Sequence, residues 1–409
     1  MSRMRYGVSP WAAATASKSR TFPTTAPPAA ADVVVVGGGL TGLLTATALK
    51  TAGHDVVLLD AARVGGGLSR SASGLTGLLL TDEYRGLEAL HGRRIARVLM
   101  MAVHDAGPAL VAGLKKAKIQ GGGDARPFVA AVNATPKGWD RDAAIRKEIG
   151  LPSTVLSGGA LARATSADGA AAALKYDGGG LVDPSRIVSG AITRAADARV
   201  KVFEKSAVAK ITFTRVDATL HVGKHAITTP RVVICTDAPG ALAPTLDRHV
   251  RAFERYHVLT VPMTAAMRKA VGLASVILSD TAADVHVTTT PDGRLLVSGG
   301  DGPVPGDRQR EAAQAQRTGQ LMYEVLKRFP AILGLAPAFG WSTPIVAGPD
   351  RFPLIGPHRQ YPHQLFSFGT DRDPALAWMA SRALVRAVAH ESTRDDEAFG
   401  FGRVQEERH

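Results

Sequence analysis

Cysteine is almost absent from this 409-residue chain, because Cys235 is its only one. A single cysteine excludes a disulfide within the chain and argues against a structural zinc or iron–sulfur site, so no metal centre is expected. Aromatic residues are also scarce, at 5%. The longest apolar run, 33–49, is short for a membrane span and is interrupted by glycines. We therefore expect no integral membrane span.

Acidic residues are outnumbered, since 49 Lys and Arg stand against 36 Asp and Glu, a formal net charge of +13. Such an excess suits nucleic acid, a membrane surface or an anionic ligand. The densest basic runs, 92–97 and 114–118, are short and suit solvated helix faces. We therefore expect a small-molecule substrate and no nucleic-acid partner. Residues 1–30 are expected to form a basic arm without the compact apolar core of a secretory signal, which makes the cytoplasm the expected location.

Glycine, by contrast, is abundant, with 43 residues, and it clusters directly after a run of four valines. The valines at 33–36 predict a buried strand, followed by a helix from about Leu40 to Thr51. A second apolar run at 56–59 predicts a strand parallel to the first, joined to it by a right-handed crossover. Further helices are predicted at 82–118, 183–200, 308–328 and 374–390.

The turn between the first strand and its helix carries the pattern G-x-G-x-x-G at Gly37, Gly39 and Gly42. The first glycine permits a tight turn, the second lets a pyrophosphate approach the backbone, and the third lets helix and strand pack closely. Asp60 ends the second strand, where a ribose hydroxyl would be bound. The free N–H groups of the helix N-terminus favour phosphate. The sequence therefore predicts a bound dinucleotide.

The segment after Asp60 distinguishes between two classes of dinucleotide. A nicotinamide enzyme would usually continue with regular strand–helix alternation. This chain instead has a second glycine-rich loop at 65–77, then a strand meander and a distant buried strand at 232–235. That layout favours FAD, extended across the sheet, over NAD(P).

Four further stretches resemble one family. They are RVGGGLSRSASGLTG (63–77), GGGLVDPSRIVSGAITRAADARVKVFEKSAVAKI (178–211), RVVICTDAPGAL (231–242) and WSTPIVAGPDRFPLIG (341–356). With the glycine pattern, they make the chain from about 31 to 390 similar to the D-amino-acid oxidase family of FAD-dependent oxidoreductases, which includes glycine and sarcosine oxidases.

The glycine pattern and this resemblance together imply a set of FAD-binding residues, among which Val208 is expected near the adenosine. The set is Gly37, Gly39, Leu40, Thr41, Gly42, Asp60, Ala61, Arg63, Gly67, Leu68, Ser69, Val208, Thr236, Asp237, Gly369, Thr370 and Asp371.

The chain departs from the family pattern at several points. Asp237 stands where many relatives have glycine, and Ile345 and Val346 stand where amino-acid-oxidising relatives often have Arg-Pro. The last loop keeps Gly369 but lacks the glycine- and histidine-rich run of many relatives. Cys235 lies on a predicted strand and is expected to be a small buried residue, not a covalent flavin tether. These changes preserve the expectation of FAD and disfavour a simple amino-acid carboxylate clamp.

The predicted fold class is α/β, with two interleaved domains after the N-terminal arm 1–30. A Rossmann-type FAD-binding domain with a parallel sheet is assigned to three discontinuous segments, 31–110, 181–240 and 336–395. A substrate domain with an antiparallel sheet is assigned to 111–180 and 241–335.

The resemblance implies hydride transfer from a C–H beside an amine nitrogen to the flavin N5, which oxidises a C–N bond to an imine that hydrolyses. His257 and His286 are candidate bases, or else histidines with satisfied partners within strands. Arg294 is a candidate for holding a carboxylate, or a surface arginine of a hairpin. Trp341 either walls the pocket or belongs to the core, and Arg372 is expected at the flavin end of the pocket.

Two alternatives stay open at this point. One is an NAD(P)-dependent dehydrogenase, against which the non-repeating middle of the chain argues. The other is a flavin-binding protein without oxidase activity, an alternative that the altered substrate-side segments keep open.

Overall fold

The computed structural model describes residues 4–15, 20–24, 27–81, 84–119, 123–132, 139–280 and 282–404. The strands within these ranges are β1 (Arg5–Tyr6), β2 (Val33–Val36), β3 (Val56–Leu59), β4 (Leu75–Thr76), β5 (Asp124–Val132), β6 (Ser153–Leu156), β7 (Ala172–Leu181), β8 (Lys201–Phe203), β9 (Val208–Phe213), β10 (Ala218–Val222), β11 (His225–Thr229), β12 (Arg231–Asp237), β13 (Arg251–Thr260), β14 (Ile277–Asp280), β15 (Val285–Thr289), β16 (Leu295–Gly302), β17 (Pro337–Ala347), β18 (Leu354–His358) and β19 (Tyr361–Phe368).

The α-helices of the same ranges are α1 (Pro10–Thr15), α2 (Leu40–Thr51), α3 (Tyr84–Lys116), α4 (Trp139–Glu148), α5 (Gly158–Ala164), α6 (Pro184–Asp197), α7 (Ala265–Val271), α8 (Arg310–Arg328), α9 (Pro374–Val388) and α10 (Arg394–Glu397). The predicted strand–helix–strand unit is confirmed at β2, α2 and β3. The four other predicted helices are confirmed as α3, α6, α8 and α9, with ends that differ by a few residues.

A six-stranded sheet has the order β18-β19-β12-β2-β3-β8. Its strands are parallel except for the antiparallel edge pair β18–β19. Val33 and Val35 of β2 belong to the core shared with α2, α6 and α9, whereas Val34 and Val36 pack toward the small sheet β9–β11. Burial on both faces explains why β2 is a continuous run of valines and has no polar alternation.

A ten-stranded sheet has the order β1-β17-β13-β16-β15-β14-β5-β7-β4, with β6 also paired to β7. Its pairs are antiparallel except for β1–β17 and β14–β5. One face packs on α8, as the buried Val258, Val297 and Leu321 show, and the opposite face carries Trp341 into the core shared with the parallel sheet. The predicted fold class, a parallel sheet with an antiparallel partner, is confirmed.

The domain boundaries stay a prediction, and two strands bear on them. The sequence assigned 337–347 and 75–76 to the FAD-binding segments, but β17 pairs with β13 and β4 pairs with β7 in the large sheet. The arm joins this sheet too, because Arg5 of β1 lies opposite Phe339 of β17. Trp11 of α1, in the same arm, is partly buried against the core.

Among the described helices, α3 is the one that is long and apolar enough to cross a membrane, judged by length and composition. Its backbone is non-helical at Gly92, and Pro108 lies inside it. It packs against α9 and β7, and it buries Leu99, Val103 and Leu110 in the core. Packing within the protein is therefore sufficient to explain its apolar composition.

Candidate cofactor and active site

A cleft of about 580 Å³ opens at the C-terminal ends of β2, β3 and β12. Such crevices beyond the carboxyl ends of parallel strands are where open α/β sheets bind ligands. The predicted FAD-binding residues that line it are Gly37, Gly39, Asp60, Ala61, Arg63, Gly67, Leu68, Val208, Thr236, Asp237 and Asp371. Those that do not line it are Leu40, Thr41, Gly42, Ser69, Gly369 and Thr370.

The three glycines of the pattern are required by close approach of neighbouring atoms. Gly37 has a φ of +103°, and a Cβ there would overlap the carbonyl oxygen of Cys235. A Cβ at Gly42 would overlap the carbonyl oxygen of Gly37, and one at Gly39 would overlap the carboxylate of Asp371. The turn is therefore as tight as the pattern predicts, and the second glycine faces a carboxylate of the chain itself.

Asp60 lies at the end of β3 and holds the turn that surrounds the cleft. Its Oδ2 accepts a hydrogen bond from the Gly38 N–H at 2.7 Å, and its Oδ1 accepts one from the Ala62 N–H at 2.7 Å. It lines the cleft together with Val208. The predicted ribose contact of Asp60 and adenosine contact of Val208 remain predictions that this placement favours.

The carboxylate of Asp371 lies on the N-terminus of α2. Its Oδ1 accepts hydrogen bonds from the Thr41 N–H at 3.1 Å and from the Thr41 hydroxyl at 2.6 Å. Its Oδ2 accepts one from the Ser69 hydroxyl at 2.6 Å, and Ser69 Oγ accepts from the Leu40 N–H at 2.9 Å. N–H groups in the first turn of a helix have no partner within the helix. An anion of the protein therefore occupies the groups that the sequence assigned to a pyrophosphate.

Asp237 ends β12 beside Asp371. Its φ of +63° lies in the left-handed region, which explains why glycine is common at this position in the family that the sequence resembles. Its Oδ1 accepts from the Thr370 and Asp371 N–H groups at 2.8 and 3.0 Å. Its buried Oδ2 has no hydrogen-bond partner among the described residues. Burial and the charge of Asp371 raise the pKa of Asp237 to about 7, against the opposing effect of these N–H groups and of Arg372.

Cys235 is buried on β12, as expected. Burial, reinforced by the charges of Asp371 and Asp237, raises the pKa of its thiol well above the ordinary value. The thiolate is the reactive form of cysteine. A thiol in this environment is a poor nucleophile, which favours its interpretation as a small packing residue.

The glycine-rich loop 65–77 contacts the large sheet directly. The carbonyl oxygen of Ser71 accepts hydrogen bonds from Trp341 Nε1 at 2.8 Å and from the Thr343 hydroxyl at 2.7 Å, both on β17. Trp341 is fully buried and does not line the cavities described here. Trp341 therefore belongs to the core, which is one of the two roles expected for it, and it joins the glycine-rich loop 65–77 to the large sheet.

A small enclosed cavity of about 40 Å³ lies between this loop, α9 and the large sheet. It is little larger than the volume of one water molecule, about 30 Å³. Its polar lining comes from Ser73, Arg255, His257, Asp284, Thr343, Arg351, Arg372 and Asp373, and its apolar lining from Leu78, Leu79, Ile345 and Leu376. A substrate can enter only if lining side chains move.

Two of the three arginines at this cavity are neutralised by carboxylates. Arg255 pairs with Asp301 at 2.5 Å and with Asp284 at 3.3 Å, and Arg351 also pairs with Asp301. No sequence pattern marks this cluster, because its members lie on separate strands and turns that only the fold brings together.

Arg372 differs from these two because it forms no ion pair with any carboxylate in the described ranges. Its guanidinium donates to the carbonyl oxygen of Arg351. Burial, reinforced by Arg255 and Arg351, lowers its pKa to about 10, while Asp373 acts in the opposite direction. Arg372 is therefore a protonated, partly buried cation at neutral pH that lines the enclosed cavity. Its expected position at the flavin end of the pocket stays a prediction.

His257 lines the cavity from β13, and its hydrogen bonds fix its tautomer. Its Nε2 lies 3.1 Å from the Thr343 hydroxyl and its Nδ1 lies 3.1 Å from that of Ser298. Because the Thr343 hydroxyl donates to Ser71, we infer that His257 Nε2 donates to Thr343 and that Nδ1 accepts from Ser298. Burial lowers the pKa of His257 to about 3. His257 is therefore neutral, and each of its ring nitrogens has a hydrogen-bond partner. This favours a role in positioning other groups over a role as a catalytic base.

His286 lies in the same row of the sheet, since it pairs with Ser298, which pairs in turn with His257. Burial also lowers its pKa to about 3. Neither ring nitrogen has a hydrogen-bond partner among the described residues. It does not line the 40 Å³ cavity, so its predicted catalytic role has no support from the placement.

Arg294 lies away from both cavities, at the start of β16. It pairs with Asp292 at 2.8 Å and donates to the Thr260 carbonyl oxygen. Its alternative interpretation, an arginine of a hairpin, accounts for these contacts. The structure does not bring it together with the other predicted catalytic residues.

Comparisons with known proteins agree with this geometry. A family model described as FAD dependent oxidoreductase matches residues 32–386. Gamma-glutamylputrescine oxidoreductase of Escherichia coli (strain K12) is 27% identical over 361 residues, which cover 84% of this chain and 80% of that protein. Among solved structures, L-amino acid deaminase from Proteus vulgaris has a TM-score of 0.75 at 15% identity, covering 94% of this chain and 99% of the other. Glycine oxidase from Geobacillus kaustophilus has a TM-score of 0.73 at 20% identity, covering 93% and 100%.

Proposed function

The chain belongs to the family of FAD-dependent oxidoreductases, and from that premise we propose that it oxidises a C–N bond of an amine or amino-acid-like substrate that carries an anionic group. FAD is its cofactor. By their names, the relatives reported above act on gamma-glutamylputrescine, L-amino acids and glycine, all of which contain an amine nitrogen. The premise disfavours the NAD(P)-dependent alternative.

The residues of the larger cleft fit the adenosine and pyrophosphate parts of FAD. Glycines stand where a Cβ would fill the turn, and Asp60 and Val208 line the outer part of the cleft. Gly67 and Leu68 bring the second glycine-rich loop to the same cleft. When bound, FAD supplies the hydride acceptor. The protein's own residues bind and orient the substrate beside it.

The observation that carries the substrate proposal is the partly buried guanidinium of Arg372 in the enclosed cavity, with no ion-pair partner among the described residues. Withdrawing a cation even partly from water without a paired carboxylate is costly unless a ligand supplies the negative charge. An anionic group of the substrate, such as a carboxylate, satisfies it. The position of Ile345, where relatives often carry arginine, is compatible with this, because Ile345 lines the same cavity as Arg372. In this chain Arg372 would therefore supply, from a different part of the cavity wall, the positive charge that relatives often place at the position of Ile345.

The cavity also favours the reactive form of the substrate. An amine must be neutral before its carbon can release a hydride. The positive charge of Arg372, which has no paired carboxylate among the described residues, lowers the pKa of an ammonium group brought beside it. Leu78 and Leu376 exclude water from the same space. His257 holds Thr343 and thereby the Ser71 loop, so we assign it the positioning of the cofactor loop.

The test uses the purified holoenzyme under anaerobic conditions. Amino acids and the matching amines that lack a carboxylate are mixed with it, and bleaching of the flavin band near ~450 nm is followed. We expect bleaching by substrates that carry both an amine and an anionic group. A bound flavin that no amine bleaches would favour the alternative of a flavin-binding protein without oxidase activity.

The role of Arg372 is tested with Arg372→Met and a matched control, Arg294→Met. Truncating one partner of a buried charge pair costs about 2–5 kcal/mol, so kcat/KM for an anionic substrate should fall at least about thirtyfold. The uncharged amine analogue should lose little, and the Arg294 variant should behave as the wild type. Equal losses in the two variants contradict the assignment.

The cytoplasmic location stays a prediction, which cell fractionation tests.

A further inference from the structure

The carboxyl pair Asp237–Asp371 occupies the end of the cleft where the dinucleotide is expected. We propose that Asp371 holds the N-terminus of α2 while FAD is absent, and that FAD binding displaces this carboxylate and takes up one proton on the pair. The inference rests on FAD being the cofactor, and it adds a proton-linked step to cofactor binding. It concerns cofactor affinity and does not depend on which substrate is oxidised.

Competition for the same N–H groups is the first argument. Asp371 accepts from the Thr41 N–H directly and from the Leu40 N–H through Ser69. A phosphate at this helix end requires the same donors. The Asp371 carboxylate also lies where a Cβ on Gly39 would stand, and this is the space that the glycine pattern provides for a pyrophosphate. The two anions exclude each other from this position.

Charge is the second argument. Asp237 and Asp371 are both buried, and Asp237 Oδ2 has no partner among the described residues. A pyrophosphate brings further negative charge to the same cleft. Like charges disfavour one another's ionised forms, so the pair binds a proton more tightly once the pyrophosphate is present. Burial and the charge of Asp371 already raise the pKa of Asp237 to about 7.

The other charged groups around the pair set limits on this effect. The loop before α9 contributes Arg372 and Asp373, of which Arg372 favours the ionised form of Asp237. β12 contributes the un-ionised thiol of Cys235, and the cleft wall carries Asp60 and Arg63. The first turn of α2, at Leu40 and Thr41, contributes no charged side chain. Arg372 forms no ion pair with the carboxyl pair among the described residues, so neither carboxylate is neutralised by a direct contact.

The linkage has a definite sign. Because FAD raises the proton affinity of the pair, affinity for FAD is highest while the pair holds its proton and falls as the pH rises above about 7. Uptake of one proton makes the dissociation constant rise about tenfold per pH unit over that range. Below about pH 6 Asp237 is protonated with or without FAD, so the dependence disappears.

The experiment dilutes the holoenzyme at pH 6 to 9 and measures released FAD by its fluorescence. For the wild type we expect a dissociation constant that is constant near pH 6 and rises about tenfold per unit above pH 7. Calorimetric titration in two buffers of different ionisation enthalpy should show uptake of one proton per FAD at pH 8. A pH-independent dissociation constant, or no proton uptake, overturns the proposal while leaving FAD binding intact. A protein that binds no FAD at any pH contradicts the cofactor assignment instead.

Two variants and a control separate the residues. Asp371→Asn removes the charge of the competing carboxylate, so it should bind FAD more tightly than the wild type at pH 8, whereas weaker binding overturns the proposal. Asp237→Asn should abolish most of the pH dependence. Asp307→Asn, at a fully exposed carboxylate outside both cavities, should keep it. The thermal midpoint of each variant without FAD reports folding, and the wild-type pH series stands even if a variant fails to fold.

Discussion

Removal of the Asp350 carboxylate should destabilise the protein far more than removal of an exposed carboxylate with an equally short ion pair. Asp350 lies in the turn between β17 and β18 and pairs with Arg403 at 2.7 Å. Its side chain is 3% exposed and that of Arg403 is 0% exposed. His91 Nε2 lies 2.9 Å from the same carboxylate oxygen. Asp350 therefore joins α3 and the C-terminal segment to this turn.

The expected magnitude follows from burial. In Asp350→Ala the guanidinium of Arg403 stays buried, held by the carbonyl oxygens of Ala398 and Pro353, but loses its counter-charge. Breaking a buried ion pair in this way costs about 3–5 kcal/mol. Arg93 and Glu148 are also 2.7 Å apart, but their side chains are 62% and 59% exposed. The matched control Glu148→Ala should therefore cost at most about 1 kcal/mol.

The assay is urea-induced unfolding at equilibrium, followed by far-UV circular dichroism and by tryptophan fluorescence. Coincidence of the two probes is the condition for extracting a free energy of unfolding. Asp350→Asn should fall between the wild type and Asp350→Ala, because an amide still accepts from Arg403 but carries no charge. If Asp350→Ala costs no more than Glu148→Ala, the burial argument is refuted.

Two further predictions concern the cleft and the buried histidines. Gly39→Ala should weaken FAD binding at least tenfold, because its Cβ would stand in the space that the glycine pattern provides for a pyrophosphate. The control Gly319→Ala, at an exposed position of α8 outside the cleft, has no atom within 4 Å of the added Cβ and should bind FAD normally. Flavin fluorescence measures both, and equal affinities would contradict the steric argument. Burial lowers the pKa of His257 and of His286 to about 3, below the ordinary value of about 6.5, so the free energy of unfolding should decrease as the pH falls from 6.5 toward 5, where the unfolded chain binds protons that the folded protein does not. The free energy of unfolding, measured from denaturation curves across this range, should depend less steeply on pH for His286→Gln than for the wild type. Identical slopes would show that His286 does not stay neutral in the folded protein.

The parts of the site that the sequence predicted are those determined by neighbouring residues. Gly37, Gly39 and Gly42 are close in the chain, and each is required by a turn that the strand and the helix themselves create. Asp60 was predictable because it ends the strand adjacent to that turn. These relations depend on backbone geometry within one strand–helix–strand unit, so the pattern of residues is sufficient to infer them.

The parts that sequence reasoning missed depend on contacts between distant segments. Asp371 was predicted near the cofactor, but its contact with Thr41, 330 residues away in the chain, was not. The ion pairs of Arg255 with Asp301 and Asp284 span 46 and 29 residues. No local pattern marks such partners, because charged residues on strands and turns are ordinarily solvated. Their roles follow only from the sheet register that buries them.

Three consecutive residues, Asp371, Arg372 and Asp373, connect the two cavities. Asp371 lies in the cofactor cleft, and Arg372 lines the enclosed cavity. Asp373 accepts from the N–H groups of Gly77 and Ala375 at 2.9 and 2.8 Å, which fixes the start of α9 and the cofactor loop together. Because Asp373 and the Arg372 contact to Arg351 anchor this backbone, Asp371 can leave the helix end most readily by rotation of its own side chain. On the proposal that FAD displaces the Asp371 side chain, its binding would leave Arg372 in place in the wall of the enclosed cavity.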